Sequence, residues 1–147
     1  MSYTQIALKS LSLTVVEKVA AGAILPGMLV TEGSAWTVVA QATMSVGVMP
    51  LVALENRLDG KGVATAYASG DIVRCAVPQR GDEFALLLKT GENVTKGDPI
   101  ESGGSGYVQQ QDVHSSFSQT RLNSRIGEAM ESVNATSAVK QINVRFW

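Results

Sequence analysis

The chain has 147 residues, a length that suits one domain with one main core. Apolar residues make up 45% of it and charged residues only 17%, which excludes intrinsic disorder and implies a surface rich in neutral polar groups. Twelve lysines and arginines against 13 aspartates and glutamates give a net charge of −1, which excludes the basic surface of a nucleic-acid or anionic-membrane binder and favours a protein partner.

The first residues lack a clear hydrophobic period. We interpret residues 1–13 as an extended N-terminal arm that orders on a partner, ahead of a single β-rich domain over residues 14–147. An ordinary first strand or a frayed terminus is the alternative. The arm mixes apolar residues with Ser and Thr, a composition that permits pairing with the edge of a sheet.

Fourteen glycines and four prolines divide the rest into short segments rich in Val, Thr and Leu, a pattern typical of short strands. Leu51–Leu54 fits a fully buried strand or a buried helical turn, and its length favours the strand. Period-two alternation predicts the other strands around Leu13 and Val15, Met28–Val30, Trp36–Ala40, Val73–Val77, Phe84–Leu88, Tyr107–Val108, Ile126–Val133 and Ile142–Phe146.

Three other segments break this pattern. Residues 63–69 contain three alanines and end at Gly70, which predicts one short helix closed by a left-handed glycine. Glycines at 91, 97, 103, 104 and 106 predict very short extended pieces and a flexible turn at Gly103–Gly106. Residues 109–124 are mostly Gln, Ser, Asn and Thr, which predicts an exposed polar loop.

Cys75 is the only cysteine, so the sequence excludes an internal disulfide and a cysteine zinc site. No basic stretch followed by an apolar run opens the chain, and no window reaches about 18 uninterrupted apolar residues. We therefore expect a soluble protein made in a reducing compartment, with no signal peptide and no membrane span.

Residues able to do chemistry are few and scattered. His114, the only histidine, falls in the polar loop, where no nucleophile accompanies it. Cys75 alternates with valines and is expected to be a core thiol. Single carboxylates such as Asp71, Asp82 and Asp98 stand beside glycines and are expected to cap turns. The sequence thus predicts no catalytic residue, no metal ligand and no cofactor site, hence no enzyme.

A carrier or small ligand-binding barrel is the alternative. The segment Asn93–Ile100 resembles the strand-turn-strand phrase of biotinyl and lipoyl carrier barrels, which display a modifiable lysine at a hairpin tip. Lys89 and Lys96 would be the modification candidates. In Glu128–Glu131, however, Glu131 occupies the place of the biotinylated lysine, and a carboxylate cannot be biotinylated.

Several phrases occur in an order and spacing shared with one family. They are Leu54–Asn56, Leu58–Gly62, Ala66–Val73, Gly91–Tyr107, Arg125–Glu131 and Val139–Phe146. Over roughly residues 20–146 the chain resembles the capsid decoration proteins, also called head cement or stabilisation proteins, of tailed bacteriophages. The residues 1–13 and 109–124 depart from that family and are expected to be contact surfaces.

The resemblance implies a mainly β fold, a small β-barrel or β-tulip-like sandwich with one short helix and an N-terminal arm. It implies a virion protein, made in the host cytoplasm, that binds the outer surface of the expanded capsid near threefold or quasi-threefold positions. There it would bridge neighbouring major capsid protein subunits as a homotrimer. Its partners would be the major capsid protein and itself, with no nucleic acid, membrane or small-molecule substrate. The expected capsid-binding residues lie on the arm: Thr4, Ile6, Leu8, Leu11 and Leu13.

Overall fold

The computed structural model describes residues 2–33, 36–40, 50–111 and 124–147. Within these ranges the chain forms short β-strands and one helical turn, so the prediction of a mainly β protein is confirmed. In chain order the strands are β1 (Ala7–Lys9), β2 (Thr14–Ala20), β3 (Leu29–Glu32), β4 (Thr37–Ala40), β5 (Leu51–Ala53), β6 (Ile72–Val77), β7 (Glu83–Leu88), β8 (Asn93–Val94), β9 (Pro99–Gly104), β10 (Tyr107–Gln110), β11 (Arg125–Ala129), β12 (Val133–Asn134) and β13 (Lys140–Phe146).

Strands β2 to β6, which are contiguous in the chain, close into a first barrel in the order β2-β4-β3-β5-β6. β2 pairs antiparallel with β6 from Thr14 opposite Val77 to Val19 opposite Ile72, and parallel with β4. Because alternate residues of a strand point to opposite faces, one residue in two fills the barrel. The interior includes Val30, Val38, Ala53, Val73 and Cys75, all fully buried.

Strands β7, β10, β9, β11 and β13 form a second ring, which closes where β13 pairs antiparallel with β7. β1 also pairs with β7, and β8 and β12 form a separate two-stranded sheet. The rings of Phe84 and Phe146 meet edge to face inside this barrel, with centroids 5.5 Å apart and planes at 87°. The second core therefore joins the middle of the chain to its last strand.

The two barrels share buried side chains. Residues Phe84–Leu88 of β7 are all buried, because one face of the strand lines the second barrel while Leu87 packs in the core of the first barrel. Conversely, three residues of the first barrel pack in the core of the second: Val15, Leu29 and Val52. The sequence predicts one main core, whereas the described residues form two core clusters in two closed rings that share buried side chains.

Gly27 lies at the junction of the barrels. It has a φ of +87°, and a Cβ there would lie 2.9 Å from the carbonyl oxygen of Ala85. The Leu87 amide donates to the Gly27 carbonyl oxygen at 3.1 Å, and the Leu29 amide donates to that of Gly106 at 2.8 Å. Glycine permits this approach of backbone to backbone.

The short helix predicted over residues 63–69 is wrong. In that stretch Tyr67 forms an antiparallel bridge with Ile24, through backbone hydrogen bonds of 2.8 and 3.1 Å. The Tyr67 ring is buried, and its hydroxyl donates to the Leu54 carbonyl oxygen at 2.7 Å. Burial of this aromatic ring overrides the helical tendency of the alanines. In the part of the chain that the structure describes, the helical element is instead a single 3-10 turn at Arg57–Asp59.

The glycine-rich region is more regular than its composition predicts. β9 runs for six residues, Pro99–Gly104, and turns through Ser105 and Gly106 into β10, where a flexible turn and very short pieces were expected. A Cβ at Gly103 would touch the backbone of Val108 and Gln109 at 3.3–3.4 Å. Glycine here allows two strands to pair closely.

Residues 1–13 and 109–124, which the sequence predicts to project from the domain, are partly integrated into the fold where the structure describes them. β1 belongs to residues 1–13 and pairs with β7, so the alternative of an ordinary first strand is the one observed. Of the predicted loop 109–124, Gln109 and Gln110 end β10, while Gln111 and Ser124 are buried; residues 112–123 lie outside the described part. Among the described residues, the structure contains no helix long and apolar enough to cross a membrane.

Candidate contact surfaces

Ile6 and Leu8, two of the five predicted capsid-binding residues, belong to the protein's own core. Ile6 is fully buried, and its carbonyl oxygen accepts a hydrogen bond of 2.8 Å from the Ala85 amide. Its own amide donates to Glu55 Oε2 at 3.1 Å. Leu8 is half-buried and packs against the core of the second barrel. Their apolar character, from which the sequence predicted a grip on a partner, is used inside the fold.

Tyr3 fixes the start of the chain to the second barrel. Its amide donates to Gln141 Oε1 at 2.8 Å, and its hydroxyl donates to Glu131 Oε1 at 2.6 Å. Glu131 Oε1 also accepts the Asn143 amide at 2.8 Å. Burial, together with the Glu131 carboxylate, raises the pKa of Tyr3 to about 12, so the phenol remains a proton donor at neutral pH.

The other three predicted residues remain exposed, and the fold adds a fourth. The Leu11 side chain is 103% exposed, and Leu13 and Thr4 are exposed too. The Arg57 guanidinium donates to the Thr4 carbonyl oxygen, and Leu58, 97% exposed, borders a groove of about 260 Å³ together with Leu13. We call Thr4, Leu11, Leu13 and Leu58 the amino-terminal surface. The sequence gives no local signal for Leu58, because its exposure depends on the 3-10 turn at Arg57–Asp59 in the folded chain.

The residues considered for chemistry have structural roles. Burial raises the pKa of the Cys75 thiol to about 12, which keeps it protonated and unreactive. Asp71, Asp82 and Asp98 each accept a backbone amide three residues away, at 2.8–2.9 Å, as expected of turn carboxylates. No cluster of metal-ligating side chains occurs within the described ranges. His114 lies outside them.

The carrier-like segment has a different arrangement from the one its sequence suggests. β8 pairs with β12, whereas β9 pairs with β10 and β11, so the turn at Lys96 joins two sheets and is not the tip of a paired hairpin. Lys96 is exposed, and its amide donates to Ser132 Oγ at 2.9 Å. Glu131 is committed to Tyr3 and Asn143.

A buried polar cluster, which the sequence did not reveal, lies where the chain leaves and re-enters the second barrel. Glu101 is 3% exposed and accepts Gln109 Nε2 at 2.9 Å and Ser124 Oγ at 2.5 Å. Gln111 Nε2 donates to the same Ser124 hydroxyl at 3.1 Å. Gln111 and Ser124 flank residues 112–123, so this cluster holds the two ends of that segment together.

An open groove of about 610 Å³ is lined mainly by apolar side chains, among them Leu25, Val63, Leu87 and Val139. Within the described ranges, Lys140 is the charged residue that lines it, and Ser2 and Gln141 are polar lining residues. Its lining is therefore mixed, apolar for the greater part and polar at three of the described residues.

Comparisons with known proteins give a likeness in fold. No protein-family model matches the chain, and no curated protein matches it. Among solved structures, the head fiber gp8.5 N base of bacteriophage phi29 is similar, with a TM-score of 0.57 and 13% sequence identity. The match covers 92% of this chain and 95% of that one. At this identity the likeness shows that the two chains share a fold.

Proposed function

We propose that this protein is a structural component of a tailed-bacteriophage head. It binds the outer surface of the expanded capsid near threefold or quasi-threefold positions and bridges neighbouring major capsid protein subunits. It acts by occupying a place on the shell and performs no chemical transformation.

The observation that carries the proposal is the shared fold with the base of a phage head fiber, which extends over nearly the whole of both chains. The sequence resemblance to capsid decoration proteins points to the same kind of particle, and it depends on the order and spacing of sequence phrases, whereas the likeness to the fiber base depends on the fold. A protein whose function is to bind a surface depends on exposed apolar side chains and does not depend on reactive ones. The described residues offer leucines at full exposure and a buried, unreactive thiol.

The amino-terminal surface is the proposed contact with the shell. Leu11 and Leu58 are almost fully exposed, which is costly in water and favourable once they are covered. Strand addition by the whole arm, which the sequence predicts, does not fit this structure, because β1 already pairs with β7. Side-chain contacts of Leu11, Leu13 and Leu58 take its place.

Stabilisation follows from mass action. A protein that binds the assembled, expanded shell better than free capsid subunits shifts the equilibrium towards the assembled state. Each of the many copies on one particle contributes modestly to the stability of the shell, so no single large interface is required.

The test is to mix the purified protein with undecorated expanded heads and to image them by electron cryomicroscopy. We expect added density on the outer surface at threefold or quasi-threefold positions. The variant Leu11→Ser/Leu58→Ser is expected to lower the affinity for heads about tenfold or more, since covering one leucine is worth roughly 1.5–3 kcal/mol. Val139→Thr is the matched control, because Val139 is an apolar residue that is 40% exposed and lies outside the amino-terminal surface.

Heads that acquire no density would contradict the proposal. Binding that is unaffected by Leu11→Ser/Leu58→Ser would place the contact on another face. A mass increase at Lys89 or Lys96 after co-expression with a biotin or lipoyl ligase would instead support the carrier alternative.

A further inference from the structure

Two neighbouring grooves on the second barrel have Val139 in common. The groove of about 610 Å³ described above includes Leu87, Val139 and Lys140 in its lining. A second groove, of about 380 Å³, includes Lys89, Tyr107 and Val139. Because Val139 belongs to both, the two grooves form one continuous surface. We call it the lysine groove and define it by Leu87, Lys89, Tyr107, Val139 and Lys140.

Strand pairing explains how these side chains come together. Leu88 of β7 is buried in the second core and lies opposite Val108 of β10 on one side. On its other side it lies opposite Lys140, which is exposed at the start of β13. Alternate residues of a strand point to opposite faces, so the residues on either side of Leu88 and Val108 belong to the outer face of the barrel. The lysine groove is therefore built on regular strands and is a rigid surface.

The charges of the lysine groove have one sign. Lys89 and Lys140 line it, and no carboxylate does so within the described ranges. Neither lysine forms an ion pair with a described residue, whereas Lys18 and Lys61 each pair with a carboxylate of the chain at 2.8–2.9 Å. The Tyr107 hydroxyl likewise has no hydrogen-bond partner among the described residues. In a chain of net charge −1, this surface is a local excess of positive charge and of hydrogen-bond donors.

The surface between the two lysines is largely apolar. Val139 is 40% exposed where the grooves meet, and Leu25 and Val63 continue the apolar lining beside Leu87. An occupant that complements this surface needs apolar side chains for the floor and carboxylates for the two ammonium groups. Nucleic acid fits poorly, because two lysines neutralise few phosphates and a phosphate backbone offers no apolar group. A single small anion would leave most of the groove uncovered.

We propose that the lysine groove binds a short, extended acidic segment of a partner protein, in which apolar residues are flanked by carboxylates. The apolar side chains cover Val139 and its neighbours, and the carboxylates meet Lys89 and Lys140. An extended chain advances about 3.3 Å per residue, so a segment of about six residues is long enough to span both grooves. The lysine groove shares no residue with the amino-terminal surface. The inference therefore goes beyond the proposed function and does not depend on it.

The test titrates the full chain, labelled with nitrogen-15, with a synthetic peptide and follows its backbone amides by NMR. The probe is acetyl-Asp-Glu-Leu-Val-Glu-Asp-amide, and its neutral counterpart is acetyl-Asn-Gln-Leu-Val-Gln-Asn-amide. We expect the acidic peptide to shift the amide signals of Leu87, Lys89, Tyr107 and Val139. The neutral peptide has the same apolar centre and shape, so it isolates the contribution of the carboxylates.

The variant Lys89→Gln/Lys140→Gln removes both charges of the lysine groove and retains most of the length of the side chains. We expect it to bind the acidic peptide about threefold to tenfold more weakly, in keeping with the loss of two partly exposed ion pairs. Arg80→Gln/Lys96→Gln is the matched control, because it removes two exposed positive charges that do not line the groove. A thermal melt of each variant establishes that it is folded.

Three outcomes would overturn the inference. The first is an acidic peptide that shifts no signal of the groove at the highest soluble concentration. The second is equal affinity for the acidic and neutral peptides, or for wild type and Lys89→Gln/Lys140→Gln. The third is a single-stranded oligothymidylate that binds the groove more tightly than the acidic peptide, which would make the groove a nucleic-acid site.

Discussion

Gly127 shows how closely two strands of the second barrel approach each other. It lies in β11 opposite Phe146, and a Cβ built on it would stand 2.1 Å from the Arg145 carbonyl oxygen. The obstructing atom belongs to the backbone of a paired strand, so it cannot rotate away. At this position the absence of a side chain is a packing requirement.

Gly127→Ala is therefore expected to lower the free energy of unfolding by about 3 kcal/mol, or the Tm by roughly 10 °C. Gly22→Ala is the control, because a Cβ there meets no atom within 4 Å. Thermal or urea unfolding measures both. Equal stabilities for the two variants would mean that β11 and β13 can separate without cost.

Glu83 couples stability to acid pH. Burial, the largest influence, raises its pKa, but hydrogen bonds from Asn143 and Arg145, together with the positive charges of Arg145 and Lys9, outweigh it. The net result is a pKa below its ordinary value of 4.5. A depressed pKa in the folded state means that the carboxylate stabilises the protein above the unfolded pKa, and that this stability is lost as pH falls through the folded pKa.

We expect Glu83→Gln to be less stable than wild type at neutral pH and to lose less stability on acidification below about pH 4.5. Urea unfolding at a series of pH values measures how steeply the free energy of unfolding changes with pH in wild type and in Glu83→Gln. Parallel curves would show that Glu83 does not titrate differently in the folded and unfolded chains.

Individual residues were predictable where one local rule decides their role. Asp82 follows Gly81 and caps a turn, and Cys75 alternates with valines and is buried, both as expected. The polar cluster around Glu101 was not predictable, since it brings together residues 101, 109, 111 and 124 through strand pairing. No local pattern in the sequence specifies that a glutamate will be met by those partners.

At the scale of elements, the N-terminal segment is the clearest difference between expectation and structure. Three or four apolar residues among Ser and Thr carry too short a pattern to distinguish a strand of the protein's own sheet from a segment that pairs with a partner. The deciding fact is the place reserved for Ile6 in the second core, which depends on β7 about 80 residues away.

Ile6→Ala is expected to lower the free energy of unfolding by about 2–5 kcal/mol, because it leaves a cavity in a closed core. Leu11→Ser, at a fully exposed position of the same segment, is expected to change it by less than about 0.5 kcal/mol. Chemical denaturation of the two variants measures the contrast. Similar, small effects would restore the interpretation of residues 1–13 as an independent arm.

The predicted helix failed for a related reason. Alanines in residues 63–69 favour a helix only when nothing stronger competes, and here Tyr67 is drawn into the first barrel beside Ile24. The strands were better predicted, because alternation of Val, Leu and Phe with polar residues follows directly from burial of one face.

At the scale of the whole molecule, composition and strand pattern predict a small β-barrel protein but do not predict two barrels. Ring closure depends on which strands pair, and β7 pairs with β1, β10 and β13 from distant parts of the chain. The amino-terminal surface likewise follows from the tertiary fold, since Leu13 and Leu58, far apart in the sequence, border the same groove.

The chain order of the two rings has a consequence for biosynthesis. Residues 14–77 contain every strand of the first barrel, so this ring can form as soon as they leave the ribosome. The second ring needs β13, and until translation reaches Phe146 the apolar side of β7 has no partner strand along that edge. We therefore expect nascent chains to pass through an intermediate in which the first ring can close while the edge of β7 that pairs with β13 is still exposed.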